Sequence, residues 1–188
     1  LSVLGYKQDT PWTNEEVQSL YDSNINEIRI DEVGLVLDEV DKSGNFAYTI
    51  YQSSENNEVT GYAIPIAGKG LWGTMYGYFA IEPDAETVKG ITFYKHKETP
   101  GLGAEVDKDW FKNNFIGKKL TDKNGELVSI EVVKGYVSKT DPDALHKVDG
   151  ISGATITGTG LTTFLKSDLE KYEPYFARVR RINQIESL

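Results

Sequence analysis

Glycines and hydroxyl side chains alternate through Asp149-Gly150-Ile151-Ser152-Gly153-Ala154-Thr155-Ile156-Thr157-Gly158-Thr159-Gly160, just ahead of a long amphipathic pattern. Glycine accepts positive φ and lets a ligand approach the backbone closely. Amides at a helix start attract negative charge, so phosphate is the ligand these residue types suit. No Gly-Lys-Ser/Thr follows, as a P-loop would require, and the segment is not a Gly-x-Gly-x-x-Gly fingerprint after a strand. On residue types alone, a capped, Gly/Ser/Thr-rich helix entry is the plainer reading and an anion site is the second.

Two further stretches concentrate glycine beside apolar groups: Gly68-Lys69-Gly70-Leu71-Trp72-Gly73-Thr74-Met75-Tyr76-Gly77 and Glu98-Thr99-Pro100-Gly101-Leu102-Gly103-Ala104-Glu105. Trp72 and Leu102 offer faces for a planar ring or for a core, and Thr99 offers a donor or a turn hydroxyl before Pro100. Gly101 and Gly103 either admit a ligand to the backbone or build the turn. His96 and Lys97 read as surface residues beside this loop rather than acid/base catalysts. No catalytic residue and no metal ligand is assigned. The chain contains no cysteine, which excludes disulfides, thiolate nucleophiles and cysteine-held clusters within it. A formal charge of −9 repels nucleic-acid phosphates. The one basic run, Arg178-Val179-Arg180-Arg181, reads as a solvated helix end, where cations suit the negative pole.

The elements around these stretches are legible from their patterns. Thr13 or Asn14 caps a first helix near 13–22, with Glu15 and Glu16 in its first turn. β-branched and aromatic runs at 46–51, 60–66, 74–81, 88–94 and 127–133 predict strands. Polar turns at 53–58 and 82–86 make antiparallel hairpins of the first and second pairs, and Pro65 belongs at a strand end or edge. Asp109-Trp110-Phe111 with Phe115 predicts a short helix closed by Gly117. From about Thr159, Leu161, Phe164, Leu165, Leu169, Tyr172 and Phe176 form one helical stripe, which Pro174 should bend or shorten. The expected fold class is α+β, an antiparallel β-sheet flanked by helices, in a single domain over 1–188. No run of about 18 apolar residues is present to span a bilayer.

The Asp149–Thr155 block resembles the flavinylation motif of FMN-binding domains, in which the final threonine of Ser-Gly-Ala-Thr carries FMN through a phosphoester. The 98–105 block is similar to the flavin-contacting loop of the same domains, and the 68–77 block resembles the C subunits of sodium-translocating NADH:quinone oxidoreductases. The resemblance implies covalent FMN on Thr155, with Ser152 and Thr157 as competing attachment oxygens. Ser152, Gly153 and Ala154 then line the attachment site, Trp72 stacks on the ring, Leu102 packs against it, Thr99 donates to it and Gly101 admits it. Two roles stay open for Asp149, a cation contact during flavin transfer or a cap on the local turn. The implied partners are the other subunits of a membrane redox pump and a Mg²⁺-dependent flavin transferase for maturation, with no nucleic acid. The implied activity is electron relay between a partner redox centre and the next flavin, without NADH:quinone turnover by this chain alone. The alternatives are the G subunit of an Rnf-type complex and a noncovalent FMN-binding or sensory module. By resemblance, a native N-terminal transmembrane anchor precedes the chain, and the domain faces the bacterial periplasm at the inner membrane.

Overall fold

A computed structural model describes residues 1–7, 10–37 and 48–186. Thr13 caps α1 (Asn14–Asn24) through a reciprocal capping box: its hydroxyl accepts from Glu16 N, and the Glu16 side chain accepts from Thr13 N. Five strands follow as an antiparallel meander in the order β1 (Ile25–Ile30), β2 (Tyr48–Glu55), β3 (Glu58–Lys69), β4 (Thr74–Ile81) and β5 (Val88–Lys95). A short helix α2 (Asp109–Asn113), a two-residue parallel pair β6 (Glu131–Val132) and β7 (Lys147–Val148), and the long helix α3 (Thr155–Glu186) complete the chain. The α+β expectation agrees with this architecture.

α3 lies along one face of the sheet against β3. Its stripe Leu161, Phe164, Leu165, Leu169, Tyr172 and Phe176 is buried in one cluster with Ile50, Ile64, Ile66, Met75, Phe79 and Phe93. Among the described residues the last β2–β3 pair is Tyr51–Ala63, while pairing with β4 continues to Lys69. There the Ala67 N–H donates to Asp168 Oδ2 of α3 at 2.7 Å. Asp168, itself 6% exposed, is the acceptor for this N–H, and Lys171 balances its charge at 2.6 Å. The opposite face is covered more thinly, by Leu4 on Ala63 and Ala80. Ala63 pairs with Tyr51 on one side and Ala80 on the other, and the rings of Tyr51 and Tyr78 meet across β3 at 5.9 Å.

Several expected boundaries shift, each for a local reason. β1 was not expected, since Ile25, Ile28 and Ile30 do not alternate cleanly. The run at 46–51 lies partly outside the described residues, and its strand extends to Glu55. The β2–β3 turn is only Asn56-Asn57, both at positive φ, as a two-residue hairpin requires. The polar residues Ser53 and Thr60 sit inside the strands, bonded to each other at 2.8 Å and, through Ser53, to Tyr6 at 2.7 Å. Of the run at 127–133 only Glu131–Val132 is strand, because Ser129 turns the chain at positive φ. Pro65 lies within β3 rather than at its end, but past the last β2 pair among the described residues, on the stretch that pairs with β4. Pro174 does not shorten α3, which runs on to Glu186. The arginine run is therefore not the helix end. Arg178 donates to the Gly34 and Val33 carbonyls and Arg180 to the Ala85 carbonyl, so both staple loops to α3.

Candidate cofactor site

Three loops meet at the N-terminal end of α3. The first is the tight connection from β3 to β4, closed by Gly70 N donating to Gly73 O at 2.8 Å. Its tip leaves Leu71 and Trp72 in solvent, Trp72 at 64% exposure. The second follows β5. Thr99-Pro100-Gly101-Leu102 is a turn with Leu102 N donating to Thr99 O at 3.1 Å and Gly101 at φ 74°. Proline then glycine at its centre is the pairing a type II turn favours. It runs into a 3-10 turn (Gly103–Asp107) and leaves Leu102 half-exposed. His96 clamps this loop: its Nδ1 accepts from Glu98 N at 3.1 Å, and its Nε2 meets Asp107 Oδ2 at 2.7 Å. This corrects the expectation of a surface histidine, since its side chain is 13% exposed. Lys97 is exposed, as expected.

The third loop is the entry to α3. Asp149 ties this loop to a distant segment, its Oδ1 accepting from Val137 N at 2.8 Å. Gly150 packs so closely that a Cβ there would lie 2.0 Å from Val133 O. Ile151 and Ala154 point into the core, while Ser152, Gly153, Thr155 and Ile156 remain exposed. Thr155 is the first residue of α3, four residues earlier than the sequence suggested. Gly158 and Gly160 hide that start because glycine disfavours helix, yet tight packing demands them. A Cβ on Gly160 would sit 2.3 Å from Lys69 O. The ladder of α3 opens with Gly158 N donating to Ala154 O at 3.0 Å. The amides of Thr155, Ile156 and Thr157 precede that bond and are the ones a helix start leaves for an external acceptor.

One carboxylate joins the three loops. Glu98 is 5% exposed, and its Oε1 accepts from Trp72 N at 3.0 Å while its Oε2 accepts from Thr157 Oγ1 at 2.5 Å. Glycine makes room for it on both sides: a Cβ on Gly70 would lie 2.6 Å from Oε1, and one on Gly103 2.5 Å from Oε2. Sequence reasoning assigned Glu98 no role, because its partners are 26 and 59 positions away. Only its place as the first residue of the 98–105 block hinted at it. The same bond separates the two threonines. The Thr157 hydroxyl is buried and engaged, whereas Thr155 faces an open cleft of about 450 Å³ lined by Lys69, Gly70, Thr155, Ile156, Thr159, Gly160, Thr163 and Phe164.

Of the expected contact residues, Leu102 approaches Gly153, where a Cβ would lie 2.8 Å from Leu102 Cδ2. Trp72 is tied to the same place through Glu98, and the exposed Thr99 hydroxyl takes no hydrogen bond among the described residues. These features fit a phosphate with a flat aromatic appendage. Free helix-start amides and Lys69 suit the anion, and the exposed faces of Trp72, Leu102 and Ile156 suit the ring. No group of three or more His, Cys, Asp or Glu able to hold a metal occurs among the described residues. No described helix is long and apolar enough to cross a membrane.

The family model for the FMN-binding domain matches residues 70–170, a span that includes all of the second and third loops and most of the first. The chain belongs to the FMN-binding domain family. Within that family, C subunits of Na(+)-translocating NADH-quinone reductases are among the relatives it resembles. The C subunit of the Na(+)-translocating NADH-quinone reductase of Pseudomonas aeruginosa is 38% identical over 135 residues, covering 71% of this chain and 51% of that protein. Its Yersinia pestis counterpart is 41% identical, covering 67% and 47%. The chain thus spans about half the length of these curated relatives. Among solved structures, the C subunit from Parabacteroides distasonis aligns with a TM-score of 0.75 at 31% identity, covering 89% of this chain and 86% of that one. NqrC of Shewanella oneidensis aligns with a TM-score of 0.77 at 25% identity over 90% of each. The five-stranded sheet and α3 are therefore the scaffold of an FMN-binding domain.

Proposed function

We propose that this domain carries FMN as a phosphoester on Thr155 and serves as an electron-transfer subunit of a sodium-translocating NADH:quinone reductase. The observation that carries the attachment site is the contrast between two neighbouring hydroxyls, Thr155 exposed on the cleft and Thr157 buried against Glu98. An enzyme that installs FMN can reach only the first. The amides of Thr155, Ile156 and Thr157, with Lys69, would hold the ester's negative charge, and Ser152, Gly153 and Ala154 would form the wall beside it. Trp72, Leu102 and Ile156 would cover faces of the ring, Thr99 would donate at its edge, and Gly101 would let the loop backbone come close. Bound FMN supplies reversible electron storage. No residue here needs to act as a general base, because relay depends on potential and distance.

On this reading NADH is oxidised and quinone reduced on other subunits, and the chain alone has no such turnover. A flavin transferase loads it, and it works on the periplasmic side of a membrane complex. The test is intact and peptide mass after coexpression with a flavin transferase. Wild type and Thr157→Val should gain one FMN on the Thr155 peptide, and Thr155→Ala should gain none. FMN found on Thr157 would move the site, and no addition in the presence of an active transferase would overturn covalent attachment.

A further inference from the structure

Glu98 is buried, has no cationic partner among the described ion pairs, and gives each carboxylate oxygen one donor from a different loop. A buried anion held by hydrogen bonds alone is costly, so its retention calls for a task. Its position suggests both what offsets that cost and what the task is. The group bonds the third residue of the 32-residue α3, where the positive pole of the helix favours an anion. Through Thr157 it grips the turn that carries Thr155, and through Trp72 N it grips the loop that presents the exposed indole. We propose that Glu98 is the positioning residue of the site, fixing the Trp72 loop and the first turn of α3 as one unit so that a flavin held at Thr155 has a defined orientation. This rests on the reading that FMN is carried there, and it adds a residue that touches neither the ester nor the ring.

Glycine at 70 and 103 follows from the same geometry, since any side chain there would collide with the carboxylate. The hydroxyl of Thr157 and the carboxylate of Glu98 form one device, so removing either should have much the same effect as removing both. Glu98→Gln keeps volume and can still accept from Trp72 N while donating to the Thr157 hydroxyl, so its effect should be smaller than that of Glu98→Ala, and Thr157→Ser keeps the hydroxyl and should restore wild-type behaviour.

Two measurements on the full chain test this. In the flavin-free protein, backbone amide exchange at Trp72 should be about tenfold faster or more in Glu98→Ala, as expected for loss of its hydrogen bond to the Glu98 side chain. Strands β3 and β4 should keep wild-type protection. In flavin-loaded protein, Glu98→Ala and Thr157→Val should still carry FMN on Thr155, yet their visible circular dichroism should fall toward that of free FMN. Thr157→Ser should retain the wild-type spectrum. Unchanged exchange at Trp72, or a wild-type spectrum in both loaded variants, would overturn the inference. If Glu98→Ala does not fold, Thr157→Val, which keeps its side-chain volume, decides it through the spectrum of its loaded form. Wild-type protein that takes up no FMN would defeat the functional reading, and the exchange data would still decide whether Glu98 couples the loops.

Discussion

At the scale of single residues, the site depends on where side chains are missing. Gly160 has a backbone carbonyl 2.3 Å from where its Cβ would stand, whereas Gly101 has nothing within 4 Å and only a positive φ of 74°. Gly160→Ala must therefore push α3 away from Lys69, at a cost of about 1–3 kcal/mol typical of overpacking. Gly101→Ala should pay only the left-handed penalty, roughly 1–2 kcal/mol. Chemical denaturation gives both values. Their order is less telling than a second readout: the Gly160 variant should widen the cleft beside Thr155 and lower FMN occupancy, measured by mass. Identical occupancy in wild type and Gly160→Ala would show that this close approach is not needed for the site.

At the scale of elements, α1 and α3 are secured in different ways. The capping box of α1 is exposed and local, so Thr13→Ala should cost about 1 kcal/mol and leave FMN loading unchanged. Asp168 works across the molecule by accepting from Ala67 of β3. Asp168→Ala leaves that N–H without its acceptor, and a loss of about 1–3 kcal/mol follows. Asp168→Asn retains an acceptor oxygen and should recover part of it. Equal thermal midpoints for the alanine and asparagine variants would show that charge, balanced by Lys171, matters more than the hydrogen bond. Capping was readable in the sequence because its partners lie within one turn. The Asp168 bond was not, because nothing local tells which strand a helix will cross.

Across the whole molecule, burial of phenols makes the fold sensitive to alkali. Tyr62 packs edge-on to Tyr175 and Phe176 at 6.3 and 5.5 Å, and burial, with the neighbouring Tyr175, pushes its pKa up to about 12. Folding thus favours the protonated phenol. Its contribution is complete below the ordinary tyrosine value of about 10 and is lost as pH rises from there toward about 12. Urea midpoints should fall across that window, and Tyr62→Phe, which keeps the ring, should fall less steeply. A parallel profile for the variant would remove Tyr62 as a source. Tyr172 and Tyr175 are shifted the same way by burial, so the flattening is partial.

The strands β3, β4 and β5, the apolar stripe of α3 and the three glycine-rich blocks were determined by the sequence alone. Each of these is a local pattern, set by side-chain alternation, helical period or turn chemistry within a few residues. What only the tertiary structure decided were relations between distant segments. It showed that α3 begins at Thr155, that Glu98 accepts from both Trp72 and Thr157, and that of two threonines in one motif one hydroxyl is open and the other is engaged. Burial and hydrogen-bond pairing depend on what packs opposite, and no periodicity along the chain encodes that partner.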